Sequence, residues 1–410
     1  MTNPAFQPKS ADRSHHGEAP TSLPSRRAIL RTGALGGVAL ASLAAFGWVE
    51  AQEAGGRDDK TTGASERSKV SSALDIDGWG TYNFNQDWLF GGVYVAGAER
   101  ASYDDSGFVS VTLPHTVTPL SWGDWDHTAW ENVWIYRKHF DVSAVSGGRV
   151  FADFDGVMTN AAVVVNGVTV ATHKGGYLPW SAELTRHLVT GDNVLAVIVD
   201  ARWLDVPPDN PAGGVSSVDY LQPGGIYRDV ALRVVPEAFI ADVFAKPLDV
   251  LTSDPSVEIL ATIDAARVPR GPVRLTAELL DGSRRLASAA VTAKITAVGT
   301  TVVKFGMTNV GDITLWSPET PQLYTIRTTL SDTGGQAHAY QVRMGFREAR
   351  FELDGFYLNG KRLEIFGLNR HQLFPYLGMA APARLQRRDA EILKNELNCN
   401  MVRCSHYPQS

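Results

Sequence analysis

The chain has only two cysteines, Cys399 and Cys404, in 410 residues. That excludes a disulfide-stapled scaffold and a four-cysteine zinc ribbon. Basic residues are not in excess either: 38 Lys and Arg stand against 44 Asp and Glu, giving a formal charge of −6. Phosphate backbones are bound by positive surfaces, so no nucleic-acid partner is expected. With hydrophobic residues at 44% and charged ones at 20%, an extensively disordered chain is excluded as well. What is plentiful is glycine, 38 residues, and proline, 21, among many valines, the composition of short strands and turns. The length allows two or three domains of about 150 residues each.

The first residues do not read as part of a fold. Ser25-Arg26-Arg27-Ala28-Ile29-Leu30-Arg31 is close to the twin-arginine export pattern, with Ile29 where Phe is usual. Thr32 to Val49 is uncharged, and Val49-Glu50-Ala51 offers small residues for a signal peptidase. Residues 1–51 are therefore expected to be a cleaved signal. The run is just long enough for an uncleaved anchor, but its glycines make it weakly apolar for that role. Residues 52–73, rich in Ser, Thr, Gly, Lys and Asp, read as a flexible linker. The expected location is outside the cytoplasm (secreted, periplasmic or on the cell envelope), with no stable membrane span after cleavage.

Residues 74–236 read as a module of short strands. Asn166-Gly167 lies between two β-branched runs and predicts a tight hairpin. Phe151 to Val157 and Asn193 to Asp200 alternate, and strands at this spacing predict a β-sandwich or jelly roll. Gly175-Gly176-Tyr177-Leu178-Pro179-Trp180 is expected to be a loop with exposed aromatics. Trp122, Trp125, Trp130 and Trp134 could stack on sugar rings or pack in a core. Residues 237–348 read as a second all-β domain of immunoglobulin-like size, with a hairpin at Asp281-Gly282.

From residue 349 the pattern changes. Asn359-Gly360 marks a short hairpin whose second arm, Arg362 to Phe366, is expected to run on as one strand into Gly367-Leu368-Asn369-Arg370-His371. Arg384 to Leu397 has helical periodicity, and Asn400 to Cys404 reads as a second strand ending in Ser405-His406-Tyr407-Pro408. Strand, helix, strand with polar residues at the strand ends is how a (β/α)₈ barrel begins. The two cysteines are expected to be buried free thiols on opposite faces.

Gly224-Gly225-Ile226-Tyr227-Arg228-Asp229, Gly-Leu-Asn-Arg-His at 367–371 and Arg-Cys-Ser-His-Tyr-Pro at 403–408 resemble glycoside hydrolase family 2, the β-galactosidase, β-mannosidase and β-glucuronidase group. The resemblance spans roughly residues 76–410. It implies a mainly β chain made of a sugar-binding jelly roll, an immunoglobulin-like spacer and the start of a TIM barrel. It also implies retaining hydrolysis of terminal β-linked sugars without an organic cofactor. By motif position it implies sugar-binding roles for Asn132, Asp219, Asn369, Arg370, His371, Arg403 and His406. By the resemblance Asp219 favours a galactoside and is a candidate contact for a monovalent cation; a divalent or monovalent cation is allowed in a complete enzyme. Arginine and histidine donors fixed at strand ends would stabilise an oxocarbenium-like state through the sugar hydroxyls.

Two departures matter. Gln372 stands where many relatives have Glu, and no acid between 349 and 410 matches a catalytic motif. The acid/base and nucleophile glutamates of the family are expected beyond Ser410, so this polypeptide is expected to be inactive without the remaining barrel. The competing reading is a secreted, non-catalytic carbohydrate-binding protein.

Overall fold

A computed structural model describes residues 78–120, 126–142, 148–202, 220–335, 337–404 and 406–410. The expected signal and linker, Trp122, Trp125 and Asp219 lie outside these residues. Among the described residues, no helix is long and apolar enough to cross a membrane.

The first module is a sandwich of two antiparallel sheets. One orders Gly80–Asn83, Val230–Pro236, Gly148–Phe154 and Trp180–Glu183; the other orders Val109–Val111, Trp88–Val93, Val133–Val142, Gly191–Asp200, Asn160–Val165 and Val168–Lys174. Asn166 and Gly167 both take positive φ, 50° and 86°, as a tight hairpin between twisted strands requires. Alternating residues from both sheets, among them Phe84, Trp88, Phe140, Phe154, Leu195 and Leu232, close the core.

Of the two roles open to Trp130 and Trp134 the structure favours packing, and Trp180, expected in a loop with exposed aromatics, is covered. Trp130 is 1% exposed within this core, so it cannot stack on a ligand. The Trp134 indole N–H donates to the Trp130 carbonyl at 2.9 Å. Trp180 lies between the rings of Phe154 and His173, at 4.6 and 4.7 Å. Rings of this size find more apolar area to cover in the sandwich than a loop would leave open.

Arg137 and Lys138, neighbours on one strand, point to opposite faces and are both buried. Lys138 donates to the Gln86 carbonyl at 2.7 Å over the Phe84 ring, and burial pushes its ammonium down to about 8. On the other face Arg137 holds the 98–105 loop: its Nε meets Asp105 at 2.7 Å, and Nη1 donates to the carbonyls of Ala98 and Arg100.

The second module packs a three-stranded sheet (Ala238–Leu248, Ser256–Ala265, Gly299–Met307) on a four-stranded one (Arg284–Ala293, Val273–Asp281, Tyr324–Ser331, Ala337–Met344). Ser256–Ala265 alternates strictly between buried and half-buried, as its sequence does. The two sandwiches meet through charged and aromatic residues. Arg149 pairs with Glu183 at 2.7 Å and with Asp264 of the second module at 3.0 Å. The guanidiniums of Arg149 and Arg233 both lie over the rings of Phe151 and Phe239, within 4.7–5.4 Å.

The last segment opens with a small sheet of Ala349–Glu352, Gly355–Leu358 and Lys361–Arg362. The expected continuous strand from Arg362 to His371 is not formed. The Leu363 amide still bonds Phe356 in the hairpin, residues 363–366 belong to no strand, and the chain re-enters a sheet at Gly367. Side-chain parity therefore does not carry from Leu363 to Asn369. Gly367–Arg370 pairs in parallel with Met401–Cys404, and Ala383–Glu391 forms the intervening helix, widening at Ile392–Glu396. The cysteines are both free, but only Cys399 is buried; Cys404, at the strand end, is exposed.

Candidate functional site

The parallel pair sets Asn369 opposite Arg403, and the Arg403 guanidinium donates to the Asn369 side-chain oxygen at 3.1 Å. The strand ends at Cys404, so the chain can turn and bring His406 Nδ1 to 3.4 Å from the Arg403 guanidinium. His371, one residue past the other strand, meets His406 edge to face with ring centroids 5.8 Å apart. Asn369, His371, Arg403 and His406 are all exposed. They form an open, donor-rich face at the strand ends, suited to hydroxyl groups.

Tyrosines bound this face on the side of the first module. Tyr220 lies 6.0 Å from the His371 ring and 6.3 Å from His406. Tyr407 packs between Tyr220 at 4.9 Å and Tyr177 at 5.2 Å, the latter stacked. Tyr177 was expected to be an exposed loop aromatic; it is half-buried because Tyr407 covers it. Burial raises the Tyr407 hydroxyl above its usual range, so it stays neutral and accepts the Gln372 amide at 2.9 Å.

The Gly-Gly-Ile-Tyr-Arg-Asp segment supports that wall. Gly225 has φ +136°, and a Cβ there would lie 2.4 Å from the His115 carbonyl. Only glycine lets this loop sit between His115–Val117 and Met158, with which it exchanges backbone bonds of 2.8–3.2 Å. Tyr227 then donates to the Gly176 carbonyl at 2.7 Å. Arg228, 8% exposed, donates to Tyr177 O at 2.8 Å and Pro408 O at 2.7 Å.

Two of the residues singled out from sequence are placed elsewhere. Arg370 turns away from the face: its guanidinium meets Asp389 on the helix at 2.7 and 2.9 Å, together with Gln386 and Gln409. Two charge-assisted bonds to one carboxylate oxygen and a helix to anchor outcompete solvent at that position. Asn132 accepts the Val133 amide at 2.8 Å in an exposed turn, with no hydrogen bond to residues 349–410 among those described. Asp219 lies outside the described residues, although its neighbour Tyr220 joins the cluster. Tyr220, Tyr407 and Arg228 were not picked out as site residues. Their one sequence signal was adjacency to Asp219, His406 and the Gly-Gly-Ile-Tyr motif.

Among the described residues, no three His, Cys, Asp or Glu side chains are grouped as a metal site. Nor does Gln372 fit a cation. Fully buried, it accepts the Ser410 amide at 2.9 Å and donates to Met379 O and Ser410 Oγ at 3.1 and 2.9 Å. Gln372→Glu would set a buried carboxylate oxygen against the Met379 carbonyl, an acceptor with no proton to give, while the Ser410 hydroxyl can turn to donate. It is expected to lower the stability of the 349–410 segment by about 2–3 kcal/mol. Calorimetry on the variant checks this, and an unchanged melting profile would show that the amide is dispensable.

Comparison with known proteins follows the same division. The family model described as "Glycosyl hydrolases family 2, sugar binding domain" matches residues 92–236. The model "Glycosyl hydrolases family 2" matches 238–347, and that of the family's TIM barrel domain matches 350–410. A β-galactosidase of Thermoanaerobacterium thermosulfurigenes is 35% identical over 339 residues, covering 80% of this chain and 45% of that protein. A putative β-glucuronidase of Formosa agariphila is 29% identical over 330 residues, covering 80% of this chain and 38% of that protein. The solved structure of a Bacteroides uniformis β-glucuronidase superposes with a TM-score of 0.72 at 28% identity, covering 81% of this chain and 40% of that one. The chain thus spans less than half the length of each of these relatives. Its two sandwiches and the barrel strands that follow match three consecutive models of one family, and the chain belongs to glycoside hydrolase family 2.

Proposed function

We propose that this chain forms the sugar-holding part of an exported β-glycosidase that acts on terminal β-galactosides with retention. The observation that carries the reading is the convergence of Asn369, His371, Arg403 and His406 on one exposed face at the ends of two parallel strands. Active sites of (β/α)₈ enzymes are built at that end of the strands. Charged and neutral donors there can grip ring hydroxyls whose bonds strengthen as the anomeric carbon becomes cationic. The β-galactosidases among the relatives favour galactose. A β-glucuronide is the second reading, favoured by the solved β-glucuronidase structures that resemble the chain. Retaining cleavage needs two carboxyls about 5 Å apart. The cluster contains none, so the acid/base and nucleophile would come from further barrel segments. The twin-arginine motif at Ser25–Arg31 supports export in the folded state.

Binding of methyl β-D-galactopyranoside and methyl β-D-glucuronide to the 410-residue chain tests this. Arg403→Ala removes a charged donor and should weaken binding of the preferred sugar about 10- to 100-fold. Nitrophenyl glycosides should bind without turnover. Equal affinity in parent and variant would end the proposal, and nitrophenol release would overturn the assignment of the carboxyls elsewhere.

A further inference from the structure

We infer that Arg228 is a positioning residue: from the first module it fixes the turn at Tyr407–Pro408 and, through that turn, the imidazole of His406. Its sugar-binding consequence rests on the reading above. The guanidinium reaches three carbonyls on three separate segments: Pro408 at 2.7 Å, Tyr177 at 2.8 Å and Asp155 at 3.4 Å. It lies over the Tyr227 ring, 5.0 Å from its centre. A rigid planar fork can serve all three acceptors at once, whereas a lysine ammonium is a single point that cannot reach them together.

What the Pro408 bond controls follows from the chain between it and the site. His406 is two residues upstream, and Tyr407 lies between them with its ring stacked on Tyr177. From the barrel side the same turn is tied by the Gln372 amide to the Tyr407 hydroxyl, by Gln409 to the Arg370 carbonyl and by the Ser410 amide to Gln372. The turn is therefore clamped between two modules, with Arg228 and Tyr177 forming the sandwich half of the clamp. Release of that half leaves Tyr407 and Pro408 fixed from one side, and the Arg403–His406 contact at 3.4 Å, already long, is the first to drift. The sandwich thus takes part in sugar recognition through a backbone carbonyl of the barrel.

The test compares the 410-residue chain with Arg228→Met and Arg228→Lys. Three quantities are read: the ¹H–¹⁵N imidazole resonances of His406 (assigned with His406→Asn), affinity for methyl β-D-galactopyranoside, and the melting profile. Arg228→Met should shift the His406 resonances and weaken the sugar about tenfold, and Arg228→Lys should recover part of both. Unmoved His406 resonances and unchanged affinity in a variant that melts like the parent would overturn the proposal. Should Arg228→Met fail to fold, Arg228→Lys decides alone: shifted His406 signals support the positioning role, and unshifted ones end it. Failure of the parent chain to bind the sugar would remove the functional reading, and the His406 resonances would still decide the positioning role.

Discussion

Asp105→Ala is expected to destabilise the first sandwich by about 3–5 kcal/mol, because it strands a buried cation. The Arg137 side chain is 0% exposed and its Nη2 already has no partner, so Asp105 at 2.7 Å is the charge that makes its burial tolerable. His139 shares the same carboxylate oxygen at 2.8 Å. The loop that carries Asp105 also covers Ile135, Val164 and Ala196 on the outer face of the six-stranded sheet. Losing the ion pair should therefore loosen that cover as well. Asp105→Asn, which keeps an acceptor but removes the charge, should cost roughly half as much. Urea unfolding followed at the first transition measures both, and a loss under about 1 kcal/mol for Asp105→Ala would refute the argument.

The second large effect is a loss of stability on acidification from about pH 6.5 to pH 4. Burial pushes the His115 imidazole down to about 4, with its Nδ1 hydrogen-bonded to the Tyr136 hydroxyl at 2.8 Å. Burial, with Arg233 nearby, pushes His338 to about 4 as well, its Nδ1 accepting the Ile240 amide where the strand register slips. Between about pH 4 and 6.5 the unfolded chain binds protons that these native imidazoles refuse, so stability rises with pH across this window and is lost on acidification. Allowing for partial solvent access, each is worth about 2 kcal/mol.

Asp155 has the opposite sign. Burial first, then the charges of Asp229 and Asp153 working against Arg228, raises its carboxyl to about 6. Native Asp155 takes up a proton before the unfolded chain does, so its contribution improves as pH falls from 6 to 4 and is a penalty at neutral pH. Asp155→Asn should therefore stabilise the first sandwich near pH 7.5 and steepen its acid loss. His338→Asn, which keeps an acceptor for the Ile240 amide, should flatten the acid response of the second sandwich alone. Calorimetry across pH 4–8 distinguishes them; acid sensitivity unchanged by His338→Asn would show that another group is responsible.

Sheets were legible because their signals are local. Asn166-Gly167 and Asp281-Gly282 name their hairpins, and the alternation from Val257 to Ile263 survives as alternating burial. The two strand-end motifs were legible as types of residue at element ends. Which of those residues face one another was not, because that depends on where strands stop. Nothing in Leu363-Glu364-Ile365-Phe366 announces that pairing lapses there. Arg370 and His371 are one apart, and only the packing of the 383–391 helix decides that the first holds Asp389 while the second meets His406. Tyr177 was misjudged because a large ring in a loop has the same sequence whether a neighbouring element covers it or not, and for the same reason Trp130 stayed open between a core and a sugar-stacking role until the core claimed it. Gln372 was read only as a departure from Glu; that its amide is buried, donating to Met379 O and accepting the Ser410 amide, depends on contacts the local sequence does not announce.

The junction between the sandwiches has a consequence of its own. Guanidinium groups do not titrate at accessible pH, and the Glu183 carboxyl beside Arg149 is held below the usual carboxylate range, chiefly by its bond to that arginine. The contact formed by Arg149, Arg233, Phe151 and Phe239 should thus hold until about pH 4, where protonation of His338, edge-on to Phe239 at 5.9 Å, sets a further cation beside Arg233. In mild acid the chain should soften within each half and keep the angle between them.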